Sequence, residues 1–344
     1  MPRNKATTQE TAALLVEWYV ANRRPLPWRA TNDPYRIWIS EVMLQQTTVT
    51  AVIPYYGKFL ARFPNVKTLA AAKLEEVLEM WAGLGYYSRA RALHASALKI
   101  AELSAFPKSH KELLLLPGFG PYTARAVASL AYGEKTGVVD GNVIRVLSRF
   151  YDLDLEWWKP AGRDIFQKFA DDLVSSQNPS DLNQGLMELG ATVCTPSSPS
   201  CLLCPWNSQC LARKNDTVFL RPLAKPRKKT EFWIWEVEVT KSPKRGYLLL
   251  KNDYAPFLKG HLVPPGNVTK EKSRPRKFDL KGAVTHHEIF VRLKTQTASG
   301  KRRGRKVESD TVTWVLPQDL KSAIPSSLVR KALELGLVAT KSRS

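Results

Sequence analysis

Two carboxylates and four thiols are the groups in this sequence best placed for chemistry. Glu41 lies in Pro34–Thr47, a stretch expected to be helical, with Ile37 four residues before it and Leu44 three after. Helical spacing puts these on one ridge, so the carboxyl shares a largely apolar face. There it either points outward or sits in a pocket where desolvation raises its pKa, as a general acid requires. Asp140 precedes Gly141-Asn142-Val143 and a helix to Phe150. An aspartate so placed is an N-cap. The same backbone donors would hold it ionised, a fixed negative charge able to face a developing cation. A neutral Glu41 and a charged Asp140 would be two acids with pKa values pushed apart, one to donate a proton and one to stabilise.

The only four cysteines, Cys194, Cys201, Cys204 and Cys210, are spaced C-x6-C-x2-C-x5-C within seventeen residues. One short segment can thus close an all-sulfur site, which suits an iron–sulfur cluster or a structural zinc. Disulfides are a poor alternative in a chain whose first ten residues lack a signal-peptide core. A reducing, cytoplasmic location is expected.

The elements that must position these groups divide at about residue 212. Before it the chain reads as helix after helix, from a possible Thr7–Glu10 capping box, through the capping Asp33-Pro34, to a helix ending just before the first cysteine. Between helices, Leu116-Pro-Gly-Phe-Gly120 carries two glycines, Gly118 and Gly120. They permit a tight turn and leave N–H groups uncovered beside the next helix start, an anion site suited to DNA phosphate or simply a packed turn. Gly83-Leu84-Gly85-Tyr86-Tyr87 gives another short turn a large apolar tip, either core aromatics or a wedge for a base stack. Gln45, Gln46, Thr47 and Thr48 form a neutral hydrogen-bonding cluster that can read base edges or merely end a helix.

Residues 213–230 are basic, contain Pro222 and Pro226, and read as a linker. Residues 231–344 alternate like a small α+β domain: Phe232–Val239, Tyr247–Leu250, Glu288–Leu293 and Thr311–Val315 are strand candidates and Leu328–Leu337 a closing helix. The run KRRGRK at 301–306 reads as a basic loop. Lys and Arg number 52 against 31 acids, a net charge of +21 that favours a polyanionic partner and salt-sensitive binding. No apolar run reaches the ~20 residues that span a bilayer.

Together these segments resemble the helix–hairpin–helix DNA glycosylases that carry an iron–sulfur cluster, and among them the MutY-type adenine glycosylases. The matching stretches are Leu26-Pro-Trp-Arg29, Trp38 to Thr47, Trp81 to Tyr87, Leu116 to Gly120, Val139-Asp-Gly-Asn142 and the cysteine segment, spanning about residues 10–212. The resemblance implies a mainly α glycosylase domain (1–212) with a [4Fe–4S] cluster on residues 194–210, acting as a monomer on double-stranded DNA. The substrate would be adenine opposite 8-oxoguanine or guanine, flipped from the duplex and excised without strand cleavage.

The same resemblance implies roles residue by residue. Glu41 would protonate adenine N7, Asp140 would stabilise the sugar cation, and Tyr122 and Asn142 would support them. Trp28, Arg29, Leu44, Val49 and Gln184 match the adenine pocket, Gln46, Thr47 and Leu84 the surroundings of the oxidised guanine, and Tyr86 the wedge. Tyr122 stands where strand-cleaving relatives place a lysine. Residues 231–344 resemble the family's Nudix-like recognition domain less closely. Val284-Thr285-His286 stands where Phe-Ser-His is usual, with Thr285 keeping the hydroxyl contact to 8-oxoguanine, and His261 and Pro264 replace a Trp and a Phe.

Overall fold

The structure is a computed structural model that describes residues 5–103, 105–226, 228–294, 312–324 and 326–341. The chain forms two compact units, residues 1–225 and 226–344.

The first unit is helical throughout its described residues. Asp33 caps the Pro34–Leu44 helix by accepting from the Tyr35 N–H at 2.9 Å, with Pro34 at the first helical position. That helix stops at Leu44 rather than Thr47, because Gln46 turns left-handed and Thr48 caps a new helix, Val49–Arg62. Arg89 closes the gap. Its guanidinium reaches the carbonyls of Val42, Met43 and Gln45, satisfying the helix end that the turn leaves open. The first helix is already under way at Lys5, so Thr7 lies inside it and not at its cap.

Two apolar cores hold the unit. One gathers Trp38, Phe59, Phe63 and Trp81 around the Pro34–Leu44 helix. The other gathers Leu147, Phe150, Phe166, Leu186 and Trp206 around the Gly141–Phe150 and Pro179–Thr192 helices. The Pro179–Thr192 helix packs on both Gly141–Phe150 and Pro121–Tyr132 and so joins the cores.

The stretch expected as a linker is structured over 213–223. Leu211–Lys214 is a short helix and Val218–Leu220 a 3-10 turn. Arg149 donates to the carbonyls of Val218 and Arg221, Trp157 to that of Leu223, and Arg221 pairs with Asp152 at 3.0 Å. Polar composition alone does not reveal such partners, which lie more than sixty residues away in sequence.

The second unit holds eight strands among its described residues: β1 (Glu231–Glu238), β2 (Lys241–Ser242), β3 (Gly246–Lys251), β4 (Leu262–Val263), β5 (Gly266–Glu271), β6 (Leu280–Val284), β7 (His287–Lys294) and β8 (Val312–Val315). One sheet runs β5-β1-β7-β6, with β1 and β7 parallel; in the other, β3 pairs with β2, β4 and β8. The Ser327–Lys341 helix sends Leu328, Val329, Ala332 and Leu333 into the core that holds Trp235, Val237 and Ile289. Four strands of this unit, β2, β4, β5 and β6, have no counterpart among the sequence candidates. They are short or only half-buried, which leaves little alternation to detect. The basic run 301–306 lies outside the described residues.

Candidate active site

A cavity of about 700 Å³ in the helical unit is lined by Glu41, Tyr122, Asp140 and Asn142, together with Trp28, Arg29, Leu44, Gln46, Thr47, Val49 and Gln184. Residues far apart in sequence thus meet in one chamber. Its volume falls in the range that receives small organic groups.

Glu41 is 5% exposed and has one side-chain hydrogen bond of note, accepted from the Tyr122 hydroxyl at 2.7 Å. Burial pushes its carboxyl up to about 7; the Asp140 charge adds to the rise, while the Tyr122 bond and Arg29 oppose it. The acid is therefore poised between protonated and ionised near neutral pH, the condition under which one group can both give and take a proton.

Asp140 is the N-cap of the Gly141–Phe150 helix, accepting from the Val143 N–H at 2.7 Å and from the Asn142 side-chain amide at 2.9 Å. Its pKa moves up and not down as expected: burial outweighs the Val143 and Asn142 donors and the Arg145 charge. The two acids are therefore not separated by opposite shifts. What distinguishes them is their partners, a phenol for Glu41 against a backbone N–H, an amide and a nearby guanidinium for Asp140.

Gly190 lets the Pro179–Thr192 helix approach this cap, since a Cβ there would stand 2.6 Å from the Asn142 Cβ. Arg145 then joins Asn142 Oδ1 at 2.8 Å to the carbonyls of Gly190 at 2.9 Å and Cys194 at 2.8 Å.

Sequence reasoning missed Glu188. This buried carboxylate lines the cavity and accepts from Arg24 Nε and Nη2, both at 2.7 Å, and from Arg29 Nη2 at 2.8 Å. These two cations hold its pKa down at about 2 against the cost of burial. Its only sequence signal is its place four residues after Gln184, on a helix whose apolar positions flank it. Met187, also missed, places its sulfur 3.4 Å from the Tyr122 hydroxyl.

Three predicted groups lie elsewhere. Leu84 is buried in the first core, and Tyr86 is 57% exposed with a left-handed backbone at the start of the Tyr87–Ala101 helix. Gly118 and Gly120 form the turn before Pro121–Tyr132. Gly118 has φ +76° and packs so closely that a Cβ would stand 2.5 Å from the Ala92 Cβ. Thr285 belongs to the second unit, in the turn between β6 and β7.

The four cysteines are free and half-buried. Burial pushes the Cys204 thiol up to about 12, and the charges of Cys194, Cys210 and Cys201 raise it further, so the set converges. Arg149, 3% exposed, sets Nη1 3.4 Å from Cys194 Sγ and donates to the Thr195 carbonyl at 2.7 Å, placing a cation beside the thiols.

Residues 39–169 match the HhH-GPD superfamily of base excision DNA repair proteins. The chain is 46% identical over 214 residues to human adenine DNA glycosylase, covering 58% of this chain and 39% of the human protein. It is 38% identical over 226 residues to the adenine DNA glycosylase of Buchnera aphidicola subsp. Baizongia pistaciae, covering 64% of each. The chain therefore spans less than two-thirds of the length of either relative. A solved thermostable thymine-DNA glycosylase superposes with TM-score 0.56 at 28% identity, covering 61% of this chain and 98% of that one. Among the described residues no helix is long and apolar enough to cross a membrane.

Proposed function

We propose that this protein is a monofunctional adenine DNA glycosylase of base excision repair, removing adenine opposite 8-oxoguanine or guanine from double-stranded DNA. The observation that carries the reading is the placement of Glu41, shielded in the cavity and titrating at about 7, with Asp140 on the same chamber.

In this mechanism Glu41 gives its proton to N7 of the extruded adenine, and the C1′–N9 bond breaks with its electron pair passing to the base. Asp140 in its charged form faces the sugar cation left behind. The ionised Glu41 then takes a proton from the water that attacks C1′, regenerating the acid. Tyr122 orients Glu41 by its hydroxyl. Asn142 does the same for Asp140. With Tyr122 where an amine would be needed, no Schiff base forms and the sugar–phosphate chain stays intact.

Trp28, Arg29, Leu44, Val49 and Gln184 would hold the adenine, with Arg29 set by Glu188. Gln46, Thr47 and the Tyr86 turn would engage the duplex, and the Gly118–Gly120 turn its phosphates. Cys194, Cys201, Cys204 and Cys210 would hold a [4Fe–4S] cluster whose part is to fix this segment of the fold. Residues 231–344 would act as a Nudix-like reader of the opposite base through Thr285. The protein would work as a monomer.

Single-turnover excision on duplexes carrying A·8-oxoG, A·G and T·G tests the reading. Adenine release from the first two, with strand breaks only after alkali, is expected. Preferential thymine release, the activity named for the solved structural relative, would replace it. Comparing the full chain with residues 1–225 measures what the second unit adds to discrimination of A·8-oxoG from A·G.

A further inference from the structure

Two adjacent histidines and a glutamate in the second unit converge without serving the site described above. Neighbouring residues of a regular strand point to opposite faces. His286 and His287 do not: their ring centroids are 4.0 Å apart. The cause is the hairpin turn between β6 and β7, in which Val284 pairs with His287 across Thr285 and His286. Thr285 has φ +57°, a left-handed conformation that costs a β-branched residue and that glycine or asparagine would adopt freely.

The third member comes from β1. Glu231 is aligned with His287 in the parallel β1–β7 register, and its backbone N–H donates to the His286 carbonyl at 2.9 Å. One ligand atom from each of the three residues lies within 4.8 Å of the other two. We propose that Glu231, His286 and His287 form a binding site for a divalent metal ion, zinc by preference, at the base of the turn that carries Thr285.

The His287 Nε2 to Glu231 Oε2 distance is 3.5 Å, close to the edge of about 3.4 Å expected between tetrahedral zinc ligands. His287 Nδ1 lies 3.3 Å from the Val284 carbonyl; donating there leaves the Nε2 lone pair turned to Glu231, the second-shell arrangement of metal-bound imidazoles. The Trp233 indole N–H fixes Glu231 Oε2 at 3.0 Å. Lys270 pairs with the Glu231 carboxylate. A dication takes over this pairing and frees the ammonium. Three protein ligands leave a fourth position open, as in zinc sites that accept water or an exchangeable group.

Bound metal would cross-link the start of the second unit to the Thr285 turn. The test is a zinc titration of the full chain against a chromophoric chelator, after its resident metal has been counted. One further zinc per chain is expected. Its affinity should fall at least tenfold in His286→Ala and in Glu231→Gln, and stay unchanged in His110→Ala, which removes an imidazole from the other unit. His286 stands in a half-exposed turn, so its replacement carries the test even if Glu231→Gln fails to fold. Cobalt in the same site should give weak d–d bands without sulfur charge transfer. No zinc beyond the resident content, equal affinity in wild type and His286→Ala, or cobalt bound only with thiolate bands would overturn the proposal.

Discussion

Arg145 joins Asn142 to Cys194: its guanidinium donates to the Asn142 side-chain oxygen and to the Cys194 carbonyl, each at 2.8 Å. Asn142 in turn donates to Asp140 at 2.9 Å. The cysteine segment and the candidate cation-stabilising carboxylate are thus two hydrogen-bonded residues apart. Arg145→Leu should lower single-turnover excision by about 10–100-fold, the usual effect of losing a supporting hydrogen bond of this kind. Duplex affinity should change much less. An equal loss of binding and excision would show general unfolding instead.

Glu41→Gln removes the transferable proton and should cost about 10²–10⁴-fold in excision, with binding retained. The wild-type rate should fall as pH rises above about 7, because the acid form of Glu41 is depleted there. Stability follows the same sign. A carboxyl whose folded pKa is raised favours the folded state most at low pH, and that contribution is lost as pH climbs from the ordinary 4.5 through about 7. Glu41→Gln should therefore be more stable than wild type at pH 8, by up to about 3 kcal/mol, with no gain at pH 4. Urea melts at the two pH values measure it.

Glu188 has the opposite sign. Its folded pKa of about 2 means that its contribution is present above 4.5 and disappears as pH falls towards 2. Glu188→Gln leaves Arg29, whose side chain is 10% exposed, without its carboxylate, and should destabilise the helical unit by about 3–5 kcal/mol at neutral pH. The deficit should shrink in acid. Arg24, more exposed, should matter less: Arg24→Ala is expected to cost well under half as much in the same melts.

Cys204→Ser should lose bound iron and sulfide, measured by colorimetric assay and visible absorption. The buried Arg149 donates to the carbonyls of Thr195 and Pro196 in this segment, so the melting temperature of the helical unit should drop as well. Iron retained in full by this variant would remove Cys204 from the ligand set.

Much of the candidate site was legible because local rules fixed it. The Asp33-Pro34 cap placed the helix that carries Glu41, and Asp140 before Gly141-Asn142 announced a helix start. Where local rules ran out, readings shifted. The helix end at Leu44 depends on Arg89, which arrives from a helix more than forty residues away. The ordered 213–223 segment depends on Arg149 and Trp157. The direction of the Asp140 shift depends on burial, which a capping motif does not report. Glu188 was overlooked because an acid on a helix reads as solvated until its two arginines are seen.

The sequence alone determined the inventory: which acids, thiols and turns exist, and that helices start at Asp33-Pro34 and at Asp140, since these follow from side-chain type and spacing over a few residues. Tertiary structure decided what surrounds them. It buried Glu41 against Tyr122, hung Asp140 from Asn142 and Arg145, and folded His286 and His287 to one side of a strained turn. Desolvation and charge coupling act through space over a few ångströms. Spacing along the chain cannot supply those distances.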